Sequence, residues 1–301
     1  MIPPNSIVLS STLVKAFLHN GTEREDICPK KIKEMVVDGR YDLSSDAIQR
    51  GNFFETQCIG SSRDGERTDH LPLKKSGDKS VVQVRLERQV EKFHELCKTY
   101  GIVLTKANTQ IKIVKKLADG VYIQGHPDIC PVGVKDPQLG ATLATIDLKL
   151  AKNLRTTWGE YCWGEYHRYD DIQAQIYQFL VEDLDLELNS HLDPEVFDIV
   201  KRLGSEMQFY YWVFSYHEGK YKGEYVPLES MVIRAEKSSL KRQEMMESLR
   251  KTYMLMKQYE GAWNPIPGEN CRGCPVDCPV KMSLGDLQIA KEKRRKKYED
   301  F

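Results

Sequence analysis

The sequence has no excess of charge of either sign, because 44 lysine and arginine residues balance 44 aspartate and glutamate residues. A neutral chain gives no overall electrostatic argument for binding nucleic acid, so any such contact must come from local basic clusters. The chain also lacks a run of about 18 apolar residues, which excludes a membrane-spanning helix. Its first residues lack the charged start and apolar core of a signal peptide. We therefore expect a cytoplasmic protein with no membrane partner.

The composition is otherwise that of a globular protein, with 41% hydrophobic and 9% aromatic residues among 301. Helical patterns come first, strand patterns follow, and mixed elements come last. This order predicts an α/β fold with a mixed central β-sheet flanked by helices. We expect a single domain, 1–301, with a helical part (1–60), a core (81–235) and a C-terminal part (236–301) that holds a helix, clustered cysteines and a basic tail.

Several segments carry local signals of secondary structure. Ser10 or Ser11 is placed to cap a first helix, and the spacing of apolar residues over 81–100 predicts another that ends at Gly101. Asp119-Gly120 is a hairpin signal between two strand patterns. Further helices are predicted over 168–184, 193–206 and 239–259, and further strands over 102–107, 145–150 and 208–216.

Two charged residues interrupt the strand pattern TIDLKL at 145–150. Asp147 and Lys149 alternate with three apolar residues, so the two sets face opposite sides of a sheet. Charges on the inner side of a sheet are costly unless they are neutralised or hydrated. A divalent metal between Asp147 and a second carboxylate would neutralise them, and Asp128 is the candidate. The alternative is a surface strand whose charges are solvated.

The neighbouring residues extend this pattern into a series. Gly125 and Asp128 form Gly-x-x-Asp upstream, and Gln173 and Tyr177 form Gln-x-x-x-Tyr on a predicted helix downstream. In order, spacing and residue type the series resembles the RecB-type branch of the PD-(D/E)XK nucleases, through most of the chain. The resemblance implies a restriction-endonuclease-like core and a metal-dependent DNA exonuclease that hydrolyses phosphodiester bonds at DNA ends or in single-stranded DNA. It also implies protein partners in repair, recombination or CRISPR adaptation.

The resemblance assigns roles residue by residue. Asp128 and Asp147 would bind magnesium or manganese together with the main-chain carbonyl at Leu148, and Lys149 would orient the attacking water. Glu55 stands where the family carries a histidine, four residues after a glycine on a predicted helix. A carboxylate oxygen suits magnesium better than an imidazole does, so we expect Glu55 to be a third acidic ligand.

Four residues are expected to contact DNA. The resemblance implies that Gln173 and Tyr177 lie beside the site and touch the DNA or the scissile phosphate, although as core-edge residues they need no function. Lys152 and Arg155 follow the predicted catalytic strand and are placed to meet phosphates.

The cysteines suggest a second metal centre. Cys271, Cys274 and Cys278 form Cys-x2-Cys-x3-Cys, and three thiolates so close can hold a soft metal if a fourth ligand joins them. Cys28, far upstream, lies in a comparable setting. The order resembles that of the iron–sulfur nucleases, such as the CRISPR-adaptation exonucleases and the AddB nuclease domain, although the last gap is shorter than is common there. The resemblance implies a [4Fe-4S] cluster, and zinc is the alternative occupant.

The fold expected from this resemblance includes a C-terminal Cys-rich loop that closes onto the N-terminal region. The other four cysteines, Cys58, Cys97, Cys130 and Cys162, adjoin apolar segments and are expected to be small buried hydrophobes. A second functional hypothesis is a non-catalytic DNA-binding module that keeps the fold and a structural iron–sulfur or zinc site.

Overall fold

A computed structural model describes residues 2–19, 22–23, 28–39, 46–61, 67–154, 168–221 and 223–264. The chain divides into two compact units, the first made of 1–8 and 44–245 and the second of 9–43 and 246–301. The prediction that 1–301 forms a single domain stays a prediction.

The described helices are α1 (Ser11–Phe17), α2 (Pro29–Ile32), α3 (Asp46–Ile59), α4 (Val81–Tyr100), α5 (Arg168–Val181), α6 (Leu186–Asn189), α7 (Pro194–Leu203) and α8 (Ser239–Tyr259), with a π-helical turn at Lys33–Val37. The described strands are β1 (Ile7–Leu9), β2 (Leu18–His19), β3 (Thr22–Glu23), β4 (Ile113–Ala118), β5 (Val121–Gly125), β6 (Ile129–Asp136), β7 (Gly140–Ala151), β8 (Gln208–Ser215), β9 (Gly219–Tyr221), β10 (Glu224–Val226) and β11 (Ser230–Ala235).

A mixed four-stranded sheet forms the centre of the first unit. Its order is β11-β8-β7-β6, with β7 and β8 parallel and the two outer pairs antiparallel. A separate three-stranded sheet has the order β1-β5-β4. Its β4–β5 hairpin is the one predicted at Asp119-Gly120. The predicted α/β class with a mixed sheet is therefore confirmed.

Helices cover the central sheet because its strands are apolar on both faces. Every residue of β8 after Gln208 is buried, as expected of a strand with a parallel neighbour. On one face Phe54 of α3 and Phe93 of α4 contact Phe214 and Trp212 at ring-centroid distances of 5.0 and 5.7 Å. On the other face Tyr177 of α5 contacts Phe209 at 5.7 Å.

The ends of α4 show why its limits could be predicted. The Ser80 side chain accepts a hydrogen bond from the Gln83 amide at 3.1 Å, which satisfies one free N–H of the first turn. Gly101 ends the helix at φ 67°, a left-handed conformation that glycine adopts at low cost. The sequence therefore specified both ends of this helix correctly.

The strand predicted at 102–107 is wrong, since this stretch is an irregular loop. Asn108 is the reason. Its side-chain oxygen accepts from the Thr105 amide at 2.8 Å, and its amide group donates to the Val103 carbonyl at 3.0 Å. These local side-chain bonds replace the ladder bonds that a strand would make.

The second unit contains a small aromatic cluster. Of the two serines predicted to cap α1, Ser10 is the one that does so, accepting from the Leu13 amide at 3.2 Å. Phe17, near the end of α1, stacks on Tyr259 with centroids 6.1 Å apart, and Trp263 contacts both rings.

None of the helices in the described ranges is long and apolar enough to cross a bilayer.

Candidate functional site

The register of β6 and β7 brings the two predicted aspartates together. Ile129 pairs with Ile146, so Asp128 immediately before β6 lies beside the stretch of β7 that begins at Asp147. The Leu148 amide donates to Asp128 Oδ2 at 2.6 Å. The alternation along β7 also holds, because Ile146 and Leu148 belong to the apolar core beneath α3 and α4.

Asp147, Lys149 and Gln173 form a closed triangle of contacts. Lys149 Nζ lies 2.6 Å from Asp147 Oδ2 and donates to Gln173 Oε1 at 3.2 Å, while Gln173 Nε2 donates to Asp147 Oδ1 at 2.9 Å. The side chain of Asp147 is 5% exposed and that of Lys149 is 25% exposed. The ammonium group is therefore held by buried partners at the end of a side chain that is partly exposed.

Gln110 joins Asp128 to Glu55. Its Nε2 donates to Asp128 Oδ1 at 3.0 Å and to Glu55 Oε2 at the longer distance of 3.5 Å. Its main-chain amide donates to the Asp128 carbonyl at 2.8 Å. Glu55, on α3, thus shares one amide donor with Asp128.

The three carboxylates influence one another electrostatically. Burial raises the pKa of Asp128 well above its usual value, and the negative charges of Asp147 and Glu55 raise this pKa further. The Leu148 N–H and the Lys149 charge act in the opposite direction but do not prevent the rise. A cation bound among these groups would offset the cost of burying a negative charge and would reduce the repulsion between the carboxylates.

The oxygen donors here suit a hard divalent cation. No cluster of three or more His, Cys, Asp or Glu side chains arranged to hold a metal occurs within the described ranges. Two buried oxygens of this site nevertheless lack a hydrogen bond among the described residues: Gln110 Oε1, and Asp147 Oδ2, which has only its ion pair with Lys149. Magnesium accepts carboxylate and amide oxygens and keeps several waters, so the residues present fit such an ion.

Gly125 of the Gly-x-x-Asp pattern has a packing role. A Cβ at this position would lie 2.5 Å from Leu180 Cδ1 and 2.6 Å from Tyr177 Cε1, so only glycine lets α5 approach β5 this closely. Tyr177 itself is 3% exposed, and its hydroxyl donates to the His126 carbonyl at 3.2 Å. The Gln-x-x-x-Tyr pattern therefore holds α5 over the site.

The structure does not decide the predicted DNA contacts. Gln173 is 6% exposed and is held by Asp147 and Lys149. Lys152, just after β7, is exposed. Arg155 lies outside the described residues, and DNA contact by all four residues stays a prediction.

Sequence reasoning missed Gln110. It adopts φ 51°, a left-handed conformation that is uncommon for any residue but glycine. It also lies in a loop where no local pattern marks a functional side chain. The only signal in the sequence is its place between the helix of Glu55 and the strand that leads to Asp128, which is too weak to identify it.

The predicted cluster cysteines are described only in part. Cys28 lies in the second unit, half-buried, as the residue that precedes α2. Cys271, Cys274 and Cys278 lie outside the described residues, as does Cys162. Cys58, Cys97 and Cys130 are 3%, 7% and 0% exposed, which confirms that they are buried.

Comparison with known proteins supports the fold. No family model matches the chain, and no curated protein sequence matches it. The crystal structure of a "Putative exonuclease" from Eubacterium rectale superposes with a TM-score of 0.57 at 17% identity, covering 94% of this chain and 93% of that one. At this level of identity the likeness shows that the two proteins share a fold over nearly their whole length.

Proposed function

We propose that the chain is a metal-dependent DNA nuclease of the RecB-like PD-(D/E)XK type, which hydrolyses phosphodiester bonds at DNA ends or in single strands. One observation carries the proposal. Asp147, Lys149 and Gln173 contact one another, and Asp128, from a third segment, accepts from the main-chain amide of Leu148 between Asp147 and Lys149. The shared fold with the Eubacterium rectale protein supports it.

Asp128, Asp147 and Glu55 are the residues that would hold Mg²⁺ or Mn²⁺, together with the main-chain carbonyl of Leu148. When bound, such an ion supplies a Lewis acid and lowers the pKa of a coordinated water. Because Asp128 and Asp147 are buried, and the charges of Asp147 and Glu55 both act on Asp128, the site favours a positive charge over water.

Lys149 has a separate role in this proposal. Its Nζ is held by Asp147 and Gln173, and its side chain is partly exposed. From there it can donate a hydrogen bond to the attacking water or to a phosphate oxygen, and its charge offsets the negative charge that develops there. Gln173 bonds to both Lys149 and Asp147, so it contributes by holding these two side chains in position.

A cleavage assay tests the proposal directly. Purified protein is incubated with end-labelled linear single-stranded and double-stranded DNA in Mn²⁺, in Mg²⁺ or in EDTA. We expect the labelled DNA to be shortened with either metal and to keep its length in EDTA. DNA that is bound but never shortened would contradict the nuclease and would favour a binding module instead.

We also propose that Cys28, Cys271, Cys274 and Cys278 hold a [4Fe-4S] cluster. The half-buried position of Cys28 beside α2 and the spacing of the other three support it. Ligands so far apart in the sequence would close a long loop and stabilise the folded chain. Protein purified without oxygen should be brown and absorb broadly near 400 nm, whereas a colourless protein containing zinc would contradict the cluster.

A further inference from the structure

Gln110 is held in the site at an energetic cost. A left-handed backbone at a residue with a side chain costs about 1 kcal/mol or more, and such strain persists only where surrounding contacts impose it. Here the contacts are those to Asp128: the Gln110 main-chain amide donates to its carbonyl, and the side-chain amide donates to its carboxylate. Gln110 is therefore hydrogen-bonded to Asp128 through both its main chain and its side chain.

The side-chain amide of Gln110 also has one polar atom that lacks a hydrogen-bond partner among the described residues. Its nitrogen donates to two carboxylates, whereas its oxygen is buried and accepts no hydrogen bond among the described residues. An unpaired buried oxygen costs about 1–3 kcal/mol. Two carboxylate acceptors fix which end of the amide faces them, because exchanging nitrogen and oxygen would set the oxygen against both negative charges.

The acidic side chains do not form a three-ligand metal site by themselves, because no group of three His, Cys, Asp or Glu side chains in the described part of the chain is arranged to hold a metal. A neutral oxygen beside them would add to the ligand set. An amide oxygen is a hard, neutral ligand of the kind that magnesium and manganese accept. Gln110 Oε1 belongs to the same carboxamide that contacts Glu55 and Asp128, so it lies next to them.

We propose that Gln110 completes the ion site: its nitrogen holds Glu55 and Asp128 in place, and its oxygen supplies a neutral ligand for the divalent cation. This inference rests on the proposed function, since it assigns a residue to the same site. Gln110 thereby sets how tightly the site binds Mg²⁺ or Mn²⁺ before any DNA arrives.

Metal binding without DNA tests this inference. Mn²⁺ affinity is measured by calorimetry, and the Mn²⁺-induced rise in melting temperature by thermal denaturation. The proteins compared are the wild type, Gln110→Leu and Gln110→Glu, with Gln138→Leu as the matched control. Gln138 is exposed in the turn between β6 and β7, at the opposite end of β6 from Asp128.

We expect Gln110→Leu to bind Mn²⁺ about tenfold or more weakly, within the range found when residues that support a metal are removed. Gln110→Glu keeps the size of the side chain and adds a negative charge. It should melt lower than the wild type in EDTA and gain more from Mn²⁺. Gln138→Leu should match the wild type in both measurements.

The results separate two ways of failing. If the wild type binds Mn²⁺ and both Gln110 variants bind it equally well with the same rise in melting temperature, only the role of Gln110 is refuted. If the wild type itself shows no Mn²⁺ binding, the ion site of the proposed function fails and the inference fails with it. The size-conserving Gln110→Glu keeps the test decisive should Gln110→Leu fold poorly.

Discussion

Replacing Asp128 by asparagine should stabilise the metal-free protein while removing its activity. In the folded protein the Asp128 carboxyl group is buried, and its burial and the negative charges of Asp147 and Glu55 raise its pKa. A neutral amide of the same shape removes the buried charge and the repulsion. Active sites commonly hold such destabilising groups because their function requires them.

Two opposing effects set the magnitude. Removing a buried charge relieves a penalty of roughly several kcal/mol, part of it the repulsion from Asp147 and Glu55. Against this, asparagine offers one acceptor where the carboxylate offers two, so either the Leu148 amide or Gln110 Nε2 loses its acceptor, at a cost of about 1–3 kcal/mol. We expect a net gain of about 1–2 kcal/mol, which raises the melting temperature by about 2–8 °C for a unit of this size.

The gain should depend on pH. Because the pKa of Asp128 is raised in the folded state, the wild type loses stability as pH rises from the unfolded pKa through the folded one. Close to the unfolded pKa this loss has not yet developed, so Asp128→Asn should gain less at pH 4 than at pH 7.5. Thermal melts in EDTA at both pH values check this. A variant that melts lower than the wild type at pH 7.5, or a gain equal at both pH values, would refute the reasoning.

Three further variants test other parts of the account. Gln173→Leu leaves Asp147 Oδ1 without its donor, so it should cost about 1–3 kcal/mol in urea denaturation and lower kcat more than it raises KM; an unchanged kcat would show that the triangle does not position Lys149. Gly125→Ala forces a Cβ to 2.5 Å from the Leu180 side chain and should cost about 1–3 kcal/mol, measured by the urea midpoint; a neutral effect would mean that α5 moves away at no cost. Cys28→Ser, purified without oxygen, should lose absorbance near 400 nm and bound iron; full retention of both would remove Cys28 from the cluster.

Local sequence patterns predicted the parts of this fold that depend on local physics. In β7, Ile146 and Leu148 join the apolar core while Asp147 and Lys149 contact Gln173 of the site, and the apolar run of β8 is buried after Gln208. The limits of α4 follow from a serine cap and a terminal glycine. In each case the residues that decide the structure lie within the element itself.

The rest depends on contacts between distant residues, which periodicity does not report. Asn108 turns a strand-like stretch into a loop through bonds that no apolar pattern reveals. The burial of Tyr177 depends on Gly125, which allows α5 to pack closely, and no local pattern reports that contact. Gln110 was not predicted, because its left-handed backbone depends on contacts with Asp128 that the sequence does not show.

The central claim is that Asp128 and Asp147 bind a cation that cleaves DNA. Its most direct test is the single-turnover cleavage rate of Asp147→Asn in saturating Mn²⁺, compared with the wild type and with the surface control Asp119→Asn, whose side chain is 99% exposed. The account predicts a loss of about 100-fold or more for Asp147→Asn and a wild-type rate for the control. A rate for Asp147→Asn that equals the wild type would contradict it.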